Sequence, residues 1–69
     1  MTQSERILRH LEEVGPITQA EALQEYGIMR LASRISDLKK LDYPIGREMI
    51  HTINRYGEHV SYARYHLNG

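Results

Sequence analysis

Apolar residues recur at three- and four-residue spacing over the first part of the chain, as on one face of a helix. The first such stretch predicts a helix over residues 3–14. Gly15-Pro16 follows it and ends it, because Gly accepts the left-handed conformation past a last turn and Pro cannot continue a helix. The predicted buried face of this helix consists of Ile7, Leu8, Leu11 and Val14.

A second helix is predicted over residues 19–25, because Thr18-Gln19-Ala20-Glu21 has the form of a capping box. Ile17, just before it, is expected to form a strand stub or to pack on the helix. Gly27 then permits a tight turn into a third helix over residues 29–41. The residues predicted to be buried are Ala22, Leu23 and Tyr26 in the second helix and Leu31, Ile35 and Leu38 in the third.

Beyond Asp42 the pattern changes to that of two strands, over residues 45–53 and 59–67, joined by a polar turn that contains Gly57. The apolar order of the first strand is irregular, which indicates either a bulge or a partly covered outer face. In the second strand, Tyr65 and Leu67 are expected to face the helices.

The length of 69 residues favours one α+β domain, residues 1–69, with a small core. The chain contains no cysteine and no long apolar run. This composition predicts a cytoplasmic protein with no membrane segment.

The net charge is zero, but the charges are unevenly distributed. Residues 1–27 hold two Arg against five Glu, whereas residues 28–69 hold seven Lys and Arg against four Asp and Glu. A chain whose second half is positive can orient on phosphate even when it is neutral overall. The alternative is an ordinary surface that carries both signs.

Three helices followed by a hairpin, with a cationic third helix, resemble the winged helix-turn-helix family, in particular its small phage and prophage members. The resemblance covers nearly the whole chain and is most specific in residues 28–41, where an Arg-Ile-x-x-Leu core precedes a basic end, and in residues 54–57 and 62–65. It implies a winged-helix fold that binds double-stranded DNA, with the third helix in the major groove and the wing on the backbone or minor groove. A transcriptional regulator or an excisionase-like accessory protein would fit it.

Carried to this sequence, the resemblance makes three groups of residues candidates for DNA contact. Arg30, Ser33 and Arg34 suit base edges and lie, with Asp37, on a face predicted to be opposite the apolar stripe. Lys39 and Lys40 are candidates for phosphate, and the wing candidates are Asn54, Arg55 and Tyr56.

Each group also has a structural explanation. Lys39 and Lys40 stand in a last helical turn, where the helix dipole favours cations in any case. Arg34 is spaced to form an ion pair with Asp37, and the wing residues can be a solvated hairpin tip.

The sequence does not favour an enzyme, a cofactor site or a metal site. The four histidines are spread over three predicted elements without metal-ligand spacing, and no Gly-rich phosphate loop or activated nucleophile is recognisable. The competing hypothesis is a protein–protein interaction module, such as a phage-encoded modulator of a host protein. A homodimer fits either hypothesis.

Overall fold

The computed structural model describes residues 1–68. The predicted order of three helices followed by an antiparallel hairpin is confirmed. A two-residue strand lies between the first two helices, which matches the strand alternative for Ile17. In chain order the elements are α1 (Gln3–Glu13), β1 (Ile17–Thr18), α2 (Gln19–Tyr26), α3 (Leu31–Lys40), β2 (Ile45–Ile53) and β3 (His59–Leu67).

The first two helices both begin with a capping box. In α1 the hydroxyl of Thr2 accepts from the backbone of Glu5, whose carboxylate accepts from the backbone of Thr2. Thr18 and Glu21 repeat this reciprocal pair at the start of α2. Gly27 ends α2 with φ of 67°, a left-handed conformation that a side chain would strain, and so provides the turn into α3.

The strands form one antiparallel sheet in the order β1-β3-β2. Ile17 of β1 pairs with Tyr65, and the hairpin register runs without interruption from the Ile45–Leu67 pair to the pair of Ile53 with His59. There is no bulge between these pairs. Of the two alternatives for the irregular strand, the partly covered outer face applies, because Ile50 lies there half-buried.

The core lies between the helices and the inner face of the sheet, and Tyr65 closes it from the sheet as predicted, with Leu67 packed against it. α1, α2 and α3 contribute Ile7, Leu11, Ala22, Leu31, Ile35 and Leu38, and the connecting segments and strands add Ile17, Ile28 and Ile45.

Two residues predicted to be buried are exposed. Val14 is 72% exposed because α1 ends at Glu13, so Val14 occupies the C-cap position where the chain turns away. Leu23 is 51% exposed because the eight-residue helix α2 buries only the side that carries Ala22, and successive helical residues point about 100° apart. The predictions for Val14 and Leu23 are therefore wrong.

A polar contact joins α1 to α2 at the edge of the core. His10 is only 7% exposed, and its Nδ1 lies 2.7 Å from the hydroxyl of Tyr26. The His10 Nε2 is buried without a hydrogen-bond partner among the described residues. The Tyr26 hydroxyl therefore provides the hydrogen bond that this buried ring makes.

Replacing Tyr26 with phenylalanine is expected to lower the free energy of unfolding by about 1–3 kcal/mol, because it leaves the His10 Nδ1 buried and unpaired. Urea denaturation followed by circular dichroism measures this change. The matched control is Tyr43→Phe, which alters a more exposed tyrosine with no side-chain hydrogen bond to the described residues and should change stability little. Equal stability of the two variants would contradict the role given to the hydroxyl.

Candidate nucleic-acid interface

One side of α3 packs on the core, and another side is exposed to solvent. Leu31, Ile35 and Leu38 form the buried side, as the apolar spacing predicted. The exposed side comprises Ala32, Ser36, Lys39 and Lys40. This exposed side is the part of α3 that another molecule can reach.

The side of α3 that carries Arg34 faces α1. Arg34 Nε lies 3.3 Å from Asp37 Oδ2, and Arg34 Nη1 donates to Gln3 Oε1 at 3.5 Å. The contact with Asp37 is an ion pair without hydrogen-bond geometry at Nε. Ser4 Oγ of α1 donates to Asp37 from the other direction, at 3.5 Å. The expectation that Arg34 and Asp37 lie opposite the apolar stripe is therefore wrong, because both side chains contact the first turn of α1, although they stay 33% and 45% exposed.

The other two residues of the predicted base-reading group lie at the edges of this side. Ser33 is half-buried. Arg30 is exposed at the N-cap of α3, where its side chain makes no cap hydrogen bond. It borders a shallow depression shared with Gln3, Met29 and Arg34. Arg30 is thus the member of this group that solvent reaches most freely.

The start of α3 is held by a residue of α2. Gln19 donates from Nε2 to the carbonyl of Ile28 and accepts at Oε1 from the backbone N–H of Leu31, both at 2.8 Å. Leu31 is the first residue of α3, and its N–H has no partner within the helix. One side chain therefore fixes both ends of the turn between α2 and α3. Sequence spacing gave no sign of this role, because it depends on how the turn folds back.

Replacing Gln19 with alanine is expected to lower the free energy of unfolding by about 1–3 kcal/mol, since two hydrogen bonds to the turn are lost. Amide hydrogen exchange should also become faster at Leu31. Gln24→Ala is the control on the same helix, because Gln24 is exposed and its side chain makes no hydrogen bond to residues 1–68. If urea denaturation gives both variants the same free energy of unfolding as the wild type, Gln19 does not hold the turn.

A groove runs between α3 and the hairpin. Ala32, Ser36 and Lys39 line it from α3, and Arg47 and Tyr65 line it from the sheet. Arg47 faces this groove because it pairs with Tyr65 in the hairpin register, and paired residues share a face. The sequence prediction missed Arg47. The alternation of Ile45, Arg47 and Met49 was the available signal.

The turn between the strands uses the side chain of Asn54 for its own structure. Asn54 Oδ1 accepts from the backbone of Tyr56 and of Glu58, at 2.9 and 3.1 Å, and Nδ2 donates to the Glu58 carboxylate at 3.0 Å. Arg55 and Tyr56 project from the tip, and Tyr56 is 79% exposed. Of the three predicted wing residues, Arg55 and Tyr56 are free to contact a partner, while Asn54 shapes the turn.

Ion pairs neutralise part of the positive charge on the surface of this chain. Within residues 1–68 they occupy Arg9, Arg34 and Arg64, and Arg6 lies over the ring of Tyr26. The other cations have no Asp or Glu carboxylate within 4.0 Å in the described chain, and all of them lie on or next to α3 and on the hairpin. They are Arg30, Lys39, Lys40, Arg47 and Arg55.

Comparison with known proteins identifies the fold. A family model described as "Winged helix-turn-helix domain" matches residues 2–69. The chain belongs to this family. The winged-helix fold predicted from the sequence is therefore confirmed, whereas no match indicates a phage origin. No curated protein and no solved structure matches the chain.

In this winged helix, α2 and α3 form the helix-turn-helix and the β2–β3 hairpin forms the wing. No helix within residues 1–68 is long and apolar enough to cross a membrane. In the same part of the chain, no three His, Asp or Glu side chains are grouped so that they could hold a metal ion. Along α3 and the wing the surface offers hydroxyl groups and positive charge to a partner.

Proposed function

We propose that this winged helix binds double-stranded DNA, with α3 in the major groove and the hairpin on the backbone or minor groove. The observation that carries the proposal concerns the Lys and Arg side chains that have no carboxylate or aromatic partner within residues 1–68: all of them lie on α3, its N-cap and the hairpin. Phosphate contacts supply most of the affinity of such domains, so a surface of this sign at the family's binding elements supports a DNA partner.

The proposal gives each group of side chains a role. Lys39 and Arg47 bind phosphates along the groove beside α3, and Lys40 extends this contact. Arg55 and Tyr56 reach the backbone or minor groove from the wing tip. Arg30 contacts DNA at the start of α3, and Ser33 lies at the border of the contact. Arg34 and Asn54, first predicted as direct contacts, hold α3 and the wing turn in place.

The biological role within DNA binding is a further part of the proposal. A transcriptional regulator and an excisionase-like accessory protein both fit a small DNA-binding domain without enzymatic activity, located in the cytoplasm. A single domain of this size covers a short site, which favours binding as a homodimer to two half-sites. The phage origin stays a prediction.

Salt dependence of binding to a mixed-sequence duplex tests the proposal. About five phosphate contacts predict that affinity falls roughly 10²- to 10³-fold between 50 and 200 mM salt. Fluorescence anisotropy of a labelled duplex measures this slope. Absence of binding at about 10 μM protein in 50 mM salt, where non-specific binding alone should be detectable, would contradict a DNA partner.

The second candidate function is a protein–protein interaction module, favoured by apolar side chains on the wing. Met49 and Ile53 on one face and Val60 and Tyr62 on the other are substantially exposed. Such a partner would bind with a weak salt dependence, since apolar contact rather than counterion release would supply the affinity.

A further inference from the structure

One face of the hairpin carries a row of basic side chains that begins in the groove beside α3. Arg47 lines this groove and pairs with Tyr65. Side chains alternate between the two faces of a strand, so His51, four residues after Arg47, lies on the same face. At a rise of about 3.3 Å per residue, it lies about 13 Å further along β2 toward the tip. His51 therefore stands between the groove and the wing tip, both of which are proposed to contact DNA.

A second histidine lies beside His51 on this face. His51 pairs with Ser61, and His59 pairs with Ile53, so the two histidines are diagonal neighbours across the two strands. Diagonal neighbours on one face of a sheet are roughly 7–8 Å apart. Both side chains are exposed. A partner that lies along this face of the wing would therefore meet two imidazoles next to each other.

No acidic group within residues 1–68 neutralises this pair, since no carboxylate lies within 4.0 Å of either imidazole. Glu58, which precedes His59, accepts instead from Asn54 Nδ2 in the turn. The charged side chains that the other elements contribute to this side are cations, Lys39 from α3 and Arg47 from β2. A proton on either imidazole would therefore extend a positive surface.

We infer that His51 and His59 contact DNA phosphates in their protonated form, so that binding takes up protons. This inference rests on the proposed DNA binding, which places Arg47 and the wing tip against the duplex. Histidine gains its positive charge between about pH 5 and 8, and a negative charge beside it favours the charged form. By linkage, protons strengthen DNA binding as much as DNA strengthens proton binding. Affinity for DNA should therefore rise as the pH falls.

The test measures binding of a labelled mixed-sequence duplex by fluorescence anisotropy at constant ionic strength, at about pH 8 and about pH 5.5, on either side of the titration of histidine. The wild type should bind about four- to tenfold tighter at the lower pH, since an exposed ion pair contributes a factor of about two to three for each histidine. The slope of affinity against salt should also become steeper by up to about two, because two more phosphates are neutralised.

Matched variants assign this effect to one face of the hairpin. His51→Gln and His59→Gln should each remove about half of the pH effect, on a logarithmic scale, and keep the wild-type affinity at about pH 8. The control is His66→Gln, because His66 lies against Gly46 on the opposite face, and this variant should preserve the pH effect. Circular dichroism of all three variants checks that they are folded.

A permanent charge provides a second, independent variant. The double variant His51→Lys and His59→Lys should bind DNA at about pH 8 as tightly as the wild type does at about pH 5.5, because lysine is charged at both values. Its affinity should then change little with pH. Both positions are exposed, so the fold should be retained.

The outcomes separate this inference from the proposed function. Equal affinity of the wild type at the two pH values, with salt dependence retained, would overturn the proton-linked contact and leave DNA binding intact. An equal loss of the pH effect in His66→Gln and in the other two glutamine variants would also overturn it, because total charge rather than position would then be responsible. No binding to the duplex at low salt, at either pH, would overturn both.

Discussion

Replacing Leu38 with alanine is expected to lower the free energy of unfolding by about 2–5 kcal/mol, because it leaves a cavity where α3 meets the core. Leu38 is only 2% exposed and packs in the same cluster as Ile35 and Tyr65. A domain of this size has a total stability on the order of 5 kcal/mol, so a large part of the population should unfold. Thermal and urea denaturation followed by circular dichroism measure the loss.

The matched control is Leu41→Ala, three residues further along the chain. Leu41 is 68% exposed at the C-cap of α3, so its removal should change the free energy of unfolding by at most about 0.5 kcal/mol. A loss from Leu38→Ala no larger than that from Leu41→Ala would mean that α3 is not held by its apolar side. The pair thus tests the orientation of α3, on which the assignment of its exposed face depends.

The fold could be predicted because its main signals are local. The capping pair of Thr18 and Glu21 starts α2, and Gly27 ends it in the one conformation that a tight turn there needs. The spacing of Leu31, Ile35 and Leu38 orients α3 toward the core. Each of these signals acts within a few residues, so it can be recognised in the sequence without knowledge of the tertiary structure. Val14 and Leu23 were misplaced because periodicity gives the direction of a side chain, not whether another element covers it.

The candidate site could be predicted from the sequence only in part. Contacts between elements decide which of its side chains are exposed and which are engaged in other interactions. Spacing placed Arg34 and Asp37 on one face of α3 but contained no sign that Gln3 would meet that face. Arg47 enters the groove only through the hairpin register, which sets the face that it shares with Tyr65. Packing of this kind also changes the charge exposed to a partner, because an arginine in an ion pair attracts phosphate less strongly than an unpaired arginine does.

The groove between α3 and the wing supplies the largest expected effect on binding. Replacing both Lys39 and Arg47 with alanine should weaken binding to a mixed duplex roughly 10- to 100-fold at about 0.1 M salt, and reduce the salt slope by about two, because two phosphate contacts are lost. Anisotropy titrations at several salt concentrations measure both quantities. Neither side chain is buried, so the fold should be retained.

The charge-matched control is the double variant Arg6→Ala and Arg9→Ala, which removes the same net charge from α1. These arginines are engaged with the Tyr26 ring and with Glu13, on a helix outside the proposed contact. This variant should keep the wild-type salt slope and lose only a small part of the affinity through the long-range field. If both double variants weaken binding equally, positive charge acts without regard to position, and the groove is not where DNA lies. A reduced slope for the Lys39 and Arg47 variant alone would instead localise the phosphate backbone between α3 and the wing.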